Sequence, residues 1–436
     1  MAKQGSFCRL SVWVFVFVLC GTRAAFVHAE TLDEAWAVAI AHSHRLQAQR
    51  HEVQASRDIL QAAKAHRMPT VSNQTAYLAL SDSPKMVNEL PGVPLQLETT
   101  LTNRNFVTTS TIVAVPLYTG GKIKSSINAA NAQLSANTAA YTTSSQNIKM
   151  EVTETYFLVL RTRRILEVAR QAEISLASHE QNAMRMLETN LVTRNVVLAA
   201  QAAKSAATQD VLRAYNGVKT AEAAYNRLLN RPFDCPVAIE EIEVPPMMGD
   251  QPGLGFVAVQ NRSELRQLNA QSKVFDEQSN IARSERLPQV VAGGAVTYAE
   301  NSRIDPNTYF AGGVGVSWTA FDGGASRAKQ RAAQQGVMAA NRMQDETRSL
   351  IALQVQTAVL DEQESRSRIS VAQQGVLHAE ENLRIVTMQF QTGLTNHTEV
   401  LDAQTLATNA CCNYYNAVYD AILATYQLRR ALGEMN

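Results

Sequence analysis

The side chains whose spacing suits chemistry are few. Glu399 and Asp402 stand at i and i+3, so on a helix they share one face, where they could concentrate negative charge or attract a cation. His42, His44 and His51 are close along the chain, but 42 and 44 fall on different helix faces, and no acid, histidine or cysteine nearby completes a metal site. Cys235, Cys411 and Cys412 remain once an N-terminal leader is set aside. An odd number with a vicinal pair is no disulfide framework and reads as ordinary small buried residues. Serine and threonine abound, without a nucleophile, base and orienting group in any supporting context. Gly293-Gly294 and Gly312-Gly313 sit in strand-like sequence rather than in a phosphate-binding loop. The basic run Arg161-Thr162-Arg163-Arg164 reads as an outward or ion-paired helix face. None of these residues points to an enzyme, a cofactor or a metal, so their use depends on the frame that carries them.

Composition narrows that frame. The 436 residues are 18% charged and 6% aromatic, against an average charged fraction of about 25%. Lys+Arg number 40 and Asp+Glu 39; loss of Lys3, Arg9 and Arg23 with a leader leaves 37 − 39 = −2. That balance removes the electrostatic case for nucleic-acid binding, which needs a basic face. Abundant Ala, Gln, Asn, Ser and Thr suit long, thin helices with small-residue seams and argue against a compact enzyme.

The leader is expected over residues 1–29. Lys3 and Arg9 precede an apolar run from Leu10 to Cys20, and Val27-His28-Ala29 ends in a small-x-small cleavage site. The run is shorter than the ~20 residues of a spanning helix. A lipid anchor at Cys20 is disfavoured because Leu19 stands where a small residue is expected. No other stretch approaches a transmembrane helix, so any membrane role must come from β-structure.

The chain repeats itself. Arg67-Met68-Pro69-Thr70-Val71 returns as Arg286-Leu287-Pro288-Gln289-Val290, an offset of 288 − 69 = 219. Leu117-Tyr118-Thr119-Gly120-Gly121 returns as Ala320-Phe321-Asp322-Gly323-Gly324, an offset of 323 − 120 = 203. Asn190-Leu191 through Gln201 returns as Gly393-Leu394 through Gln404, also at 203. The offset falls by 16 only between Pro69 and Gly120, which puts a longer loop in the first half, around Ser81–Pro84 and Pro91–Pro94. A duplicated unit follows, with a first repeat at 30–230, a proline-bearing linker at 231–253 and a second repeat at 254–436.

Each half carries the same order of elements. A helical segment (Leu32 to about His66; about Leu254 to Arg286) stops before a proline. Two strands follow: Thr70–Leu80 and Asn105–Tyr118 in the first half, Gln289–Ala299 and Tyr309–Phe321 in the second. Phe310, Gly312, Val314, Val316 and Trp318 share one strand face, and Ala311, Gly313, Gly315, Ser317 and Thr319 the other. Segments of about ten residues with terminal aromatics suit a tilted membrane strand, although a hairpin on a soluble core would alternate equally well. After each Gly-Gly pair a proline-free helix runs to about Glu188 or Gln391, near 100 Å at ~1.5 Å per residue. Ile127, Leu134, Tyr141 and Ile148 recur every seven residues, as in coiled coils. Turns at Thr189-Asn190 and Thr392-Gly393 lead into return helices. Four strands cannot close a barrel, and open edges are not tolerated in hydrocarbon, so strands that enter a membrane must be pooled by several chains.

This ordered set, present twice, resembles the TolC family of outer-membrane efflux and secretion channels over nearly the whole mature chain. The marks are the Pro69 and Pro288 stops, the Gly120-Gly121 and Gly323-Gly324 junctions, and the tip sequence Gly393-Leu394 leading to Glu399-Val400-Leu401-Asp402-Ala403-Gln404. The resemblance implies a mainly α fold with membrane β. Long antiparallel coiled-coil-like helices would form a periplasmic α-barrel, and four strands from each of three chains a twelve-stranded outer-membrane β-barrel. It implies a homotrimer in the outer membrane of a Gram-negative bacterium, in contact with outer-membrane lipid and largely periplasmic. Export would be passive, without cofactor or nucleic acid, and driven by an inner-membrane pump of RND, ABC or MFS type through a periplasmic adaptor. Asn190, Leu191 and Val192 with Gly393, Leu394 and Thr395 would be the adaptor-contacting tips. Family members carry acids at the positions of Glu399 and Asp402, at the narrow periplasmic entrance. Three chains would there bring six carboxylates together, favouring cations and raising some pKa values by mutual repulsion. Arg194, from the first half, could latch the closed entrance through an ion pair. Thr395 stands where the best-known member has an arginine, so the family's gating salt bridges do not transfer intact. A structural periplasmic coiled-coil protein without transport activity, or a non-exporting porin, is the alternative at this point.

Overall fold

The computed structural model describes residues 29–89, 96–247 and 253–435. The expected leader lies outside them but for Ala29, as does the Pro91–Pro94 segment. The chain opens with α1 (Leu32–His42), started by a reciprocal cap in which Thr31 Oγ1 accepts from the Glu34 amide and Glu34 Oε2 from the Thr31 amide. A single helix to about His66 was expected; instead Ser43 adopts an extended conformation and caps a second helix, α2 (His44–Ala65), accepting from the Leu46 amide. Arg67-Met68 then leads through Pro69 into β1 (Thr70–Ala79).

The extra residues of the first half are not a plain loop. They form a hairpin of β2 (Lys85–Glu89) and β3 (Gln96–Thr100), antiparallel and separate from the main sheet, with Lys85 Nζ 2.9 Å from Glu98 Oε2. β4 (Asn105–Tyr118) returns to pair with β1, and α3 (Lys122–Glu188) begins after Gly121 and runs 67 residues. α4 (Arg194–Leu228) folds back along it. The second half repeats the scheme, including the early break. α5 (Leu254–Asn261) and α6 (Ser263–Ser284) are parted by extended Arg262, at 262 − 43 = 219 from Ser43. β5 (Gln289–Ala299), β6 (Thr308–Ser317), α7 (Ala325–Gln391, again 67 residues) and α8 (His397–Leu432) complete it. β6 ends four residues before the expected Phe321. Trp318 Nε1 donates to the Arg286 carbonyl at 3.1 Å, which turns the chain out of the sheet and toward α7.

The four main strands form one antiparallel sheet in the order β1-β4-β5-β6, so the two repeats join through β4 and β5. The register sorts its faces. Val71, Val113, Val296, Tyr298, Phe310 and Val314 share one, which is mainly apolar but carries Asn73, Thr75, Thr109 and Thr111 in its middle and Asn105 and Thr308 at its end. The four in the middle satisfy each other, with Asn73 bonding Thr111 at 2.8 Å and Thr75 bonding Thr109 at 3.0 Å. The opposite face is richer in small and polar residues, among them Ser72, Gln74, Ser110, Thr297, Gly293 and Gly313, but it also carries Leu78, Phe106, Ile112, Val291 and Tyr309. The first face is the better suited to hydrocarbon. Both outer strands, β1 and β6, are unpaired along ten residues each.

The helices form a curved layer in two tiers. Nearer the sheet the packing order is α2-α3-α6-α7; beyond the middle it is α4-α3-α8-α7. Small residues make the seams: Ala130, Ala132, Ala136 and Ala139 of α3 are buried, so neighbouring backbones come close. Where the tiers meet, Leu32, Ala35, Leu46, Tyr156, Phe157, Tyr225, Tyr419 and Ile422 form the main apolar core. Residues 232–247 carry no helix but strap the outside of this core. Ile239 pairs with Glu30 in a parallel bridge, and Val237, Ile242 and Val244 pack inward. Arg163 Nη2 donates to the Val237 carbonyl and Arg366 Nη2 to that of Pro245, each at 2.6 Å.

Candidate functional site

The carboxylate pair sits at the end of the molecule farthest from the sheet. Each 67-residue helix spans about 100 Å from its Gly-Gly junction to its tip. The two tips are built alike. At the first, Asn190 (φ 57°) follows α3, its amide bonding the Leu187 carbonyl and that of Leu191 the Met186 carbonyl. At the second, Gly393 (φ 74°) follows α7, its amide bonding Phe390 and that of Leu394 bonding Gln389. Both are left-handed C-terminal caps that satisfy the last helical carbonyls and project a leucine. Leu191 is 69% and Leu394 79% exposed.

The return helices then differ. Asn396 caps α8 by accepting from the Glu399 amide at 3.1 Å, whereas the Thr193 hydroxyl bonds Asn195 and leaves α4 without a side-chain cap. Glu399 lies in the first turn of α8, where the helix dipole favours an anion. Arg194 opens α4, where the same dipole disfavours a cation. Glu399 and Asp402 are both exposed on one side of α8, while Val400, Ala403 and Ala407 are buried on the other. Among the described residues no ion pair within the protomer joins Arg194 to either acid. The fold therefore brings Glu399, Asp402 and the two tips to one end, while Pro69, Gly120, Gly121, Pro288, Gly323 and Gly324 stay at the other.

The junctions need their glycines. Gly120, Gly121, Gly323 and Gly324 all have positive φ, between 61° and 90°. At the second, Asp322 accepts from the Gly324 amide at 2.9 Å and the Ser326 amide at 2.8 Å. The Ser326 hydroxyl and these amides hold the Asp322 carboxyl down at about 2. Thr119 plays a weaker version of the role in the first half, accepting from the Ile123 amide at 3.4 Å.

Other residues resolve as structure. Arg161 meets Asp420 at 2.6 Å, Arg163 meets Glu222 at 2.8 Å, and Arg164 meets Glu167 and Glu241, so the basic run ties α3 to α8, α4 and the strap. Cys235, Cys411 and Cys412 are free thiols, and burial raises the pKa of the last two. His42, His44 and His51 are exposed. Among the described residues no group of three or more His, Cys, Asp or Glu could hold a metal, and no helix is long and apolar enough to cross a membrane. Sequence reasoning missed a buried aromatic contact behind the second tip. His179 of α3 packs against Phe390 of α7 with ring centroids 4.9 Å apart and the rings tilted by 52°. A lone histidine in a long polar helix gave no signal.

Comparison with known proteins agrees with this architecture. The model of the family described as outer membrane efflux protein matches residues 37–231 and 257–434, one segment in each half. Outer membrane protein TolC of Vibrio cholerae serotype O1 is 22% identical over 305 residues, covering 68% of this chain and 70% of that protein. The transmembrane channel CusC superposes with a TM-score of 0.80 at 15% identity, covering 92% of each chain. The outer membrane protein VceC from Vibrio cholerae superposes with a TM-score of 0.77 at 19% identity, covering 92% of this chain and 96% of that one.

Proposed function

We propose, since this chain belongs to the outer membrane efflux protein family, that its two helix tips form the periplasmic gate of a trimeric export duct. Channels of this family are passive rather than enzymatic, and they sit in the Gram-negative outer membrane with a large periplasmic helical part. The chain is such an outer-membrane export channel; family members are trimers that work with periplasmic adaptors and inner-membrane pumps. The alternative of a coiled-coil rod without transport gives way to this family membership.

The observation that carries the trimer is the pair of open flanks. β6 and α7 bound one side of the protomer, β1 with α2 and α4 the other, and an unpaired strand edge cannot stay in hydrocarbon. Pairing β6 with β1 of the next chain closes twelve strands in three protomers. The internal repeat supports the same docking. A Cβ on Gly120 would stand 2.8 Å from Leu287 Cβ of the other half, whereas at Gly323 nothing lies within 4 Å. Met68, the counterpart of Leu287, is 65% exposed. Closure brings Met68 of the partner subunit to Gly323, completing the repeat.

At the far end the ring gathers six carboxylates from Glu399 and Asp402, with Arg194 on the flank helix α4 directed to the neighbouring protomer's tip. Asn190, Leu191, Val192, Gly393, Leu394 and Thr395 then present paired apolar knobs to the adaptor. We assign the leader to 1–29, the repeats to 30–230 and 254–436, and the link to 231–253. The test is single-channel recording of detergent-extracted trimers. Glu399→Ala with Asp402→Ala raises conductance and weakens block by divalent cations; unchanged currents refute the gate.

A further inference from the structure

Behind the carboxylates, the second tip rests on a histidine. His179 is 5% exposed, packed against Phe390, which is 2% exposed and belongs to the last turn of α7. Among the described residues its Nε2 has no hydrogen-bonding partner, nor has the buried Nδ1 of His397, the first residue of α8. A neutral imidazole fits such a place at the cost of one unsatisfied ring nitrogen. An imidazolium does not: it brings a charge and two N–H donors that require partners or water.

We propose that His179 is an acid-sensitive peg of the gate, seating the α7–α8 tip on α3 when neutral and releasing it when protonated. The inference rests on the reading of the tips as a gate. Protonation strips Phe390 of its packing surface, so the tip swings away from α3 and the entrance widens as the periplasm acidifies.

The charged groups of the surrounding helices do not offset the new charge. On α3 and α4, Glu180 and Lys204 are paired with each other at 2.8 Å. On α7, Glu381 is paired with Arg384 at 2.7 Å. On α8, Glu399 and Asp402 are exposed, and the titratable group acting on His179 is His397, itself a base. Burial first, then His397, hold the His179 pKa below its usual value. In the open state a solvated histidine titrates near ~6.5. The closed state therefore binds fewer protons. Its advantage is complete above that pH and declines as pH falls, by up to about tenfold per pH unit in each protomer, until the closed-state pKa is reached.

The experiment records reconstituted trimers in planar bilayers between pH 7.5 and 5. Wild type shows a rise in open conductance that begins below about pH 6.5. His179→Phe keeps the ring, cannot protonate, and flattens that rise. Glu399→Gln with Asp402→Asn keeps the rise while weakening cation block. A rise unchanged in His179→Phe, or absent from wild type although the carboxylate variant alters cation block, overturns the peg and leaves the gate standing. A carboxylate variant with unaltered block and conductance overturns the gate and the peg with it. Should His179→Phe fail to assemble, amide exchange of the wild type decides. Corrected for intrinsic rates, protection of residues 386–400 falls between pH 7.5 and 5.5 if the peg is right, and constant protection overturns it.

Discussion

Gly120 and Gly323 are a matched pair for separating the folding of one protomer from the closure of three. Alanine at either must adopt positive φ, 61° or 68°, at a cost of about 1–2 kcal/mol. At Gly120 a second term follows. The new Cβ meets Leu287 Cβ at 2.8 Å and the Ser284 carbonyl oxygen at 3.2 Å, both too near the backbone to move aside freely. Overpacking of this kind costs about 1–3 kcal/mol. Gly120→Ala therefore loses about 2–5 kcal/mol, and Gly323→Ala about 1–2 kcal/mol, in the isolated chain. Guanidinium unfolding of detergent-dissociated monomers, followed by circular dichroism, measures that difference. Light scattering of the assembled species measures the rest. If Met68 of the partner subunit reaches Gly323, Gly323→Ala shifts the monomer–trimer balance toward monomer beyond its effect on the fold. Equal monomer stabilities, or a Gly323→Ala trimer as tight as wild type, would refute the quasi-symmetric docking.

Two further outcomes probe the strap and the second junction. Arg231 grips Glu30 through two guanidinium nitrogens at 2.7 and 2.9 Å, with Tyr225 donating to the same carboxylate at 3.0 Å in a largely buried site. Arg231→Ala is expected to cost about 2–3 kcal/mol, discounted for Arg231's partial exposure, and limited proteolysis should then cut first near the strap. Asp322 titrates at about 2, depressed from the usual carboxylate value. Its anchoring of the α7 start is therefore intact above that usual value and lost only as pH falls through about 2. Amide protection at residues 324–328, corrected for intrinsic exchange rates, should persist at pH 3 in wild type and be lost in Asp322→Ala.

Much of the architecture was legible because the chain states it twice. Pro69 and Pro288, the two Gly-Gly pairs, and Asn190 with Gly393 punctuate both halves, and each has a backbone reason that holds in isolation. The break at Ser43 was missed because Ala41-His42-Ser43-His44 holds no proline or glycine; only the serine's ability to cap marks it. Its counterpart Arg262 lacks even that. The β2–β3 hairpin was hidden by strands of five residues, too short for alternation to register. The strap read as linker because its prolines outweighed Val237, Ile239, Ile242 and Val244, whose inward packing depends on helices distant in sequence. The tips were readable, but His179 was not. Its burial comes from packing against Phe390 on another helix, a contact that no local spacing encodes.

α7 bounds the same flank of the protomer in both tiers, whereas the opposite flank is divided between α2 and α4. The seam is therefore asymmetric in its vulnerability. Substitutions along α7 loosen the tier near the sheet and the one near the tips together, while α2 and α4 act separately. The sheet half can thus be altered through α2, and the tip half through α4, without either disturbing the other, provided the one shared rail is left alone.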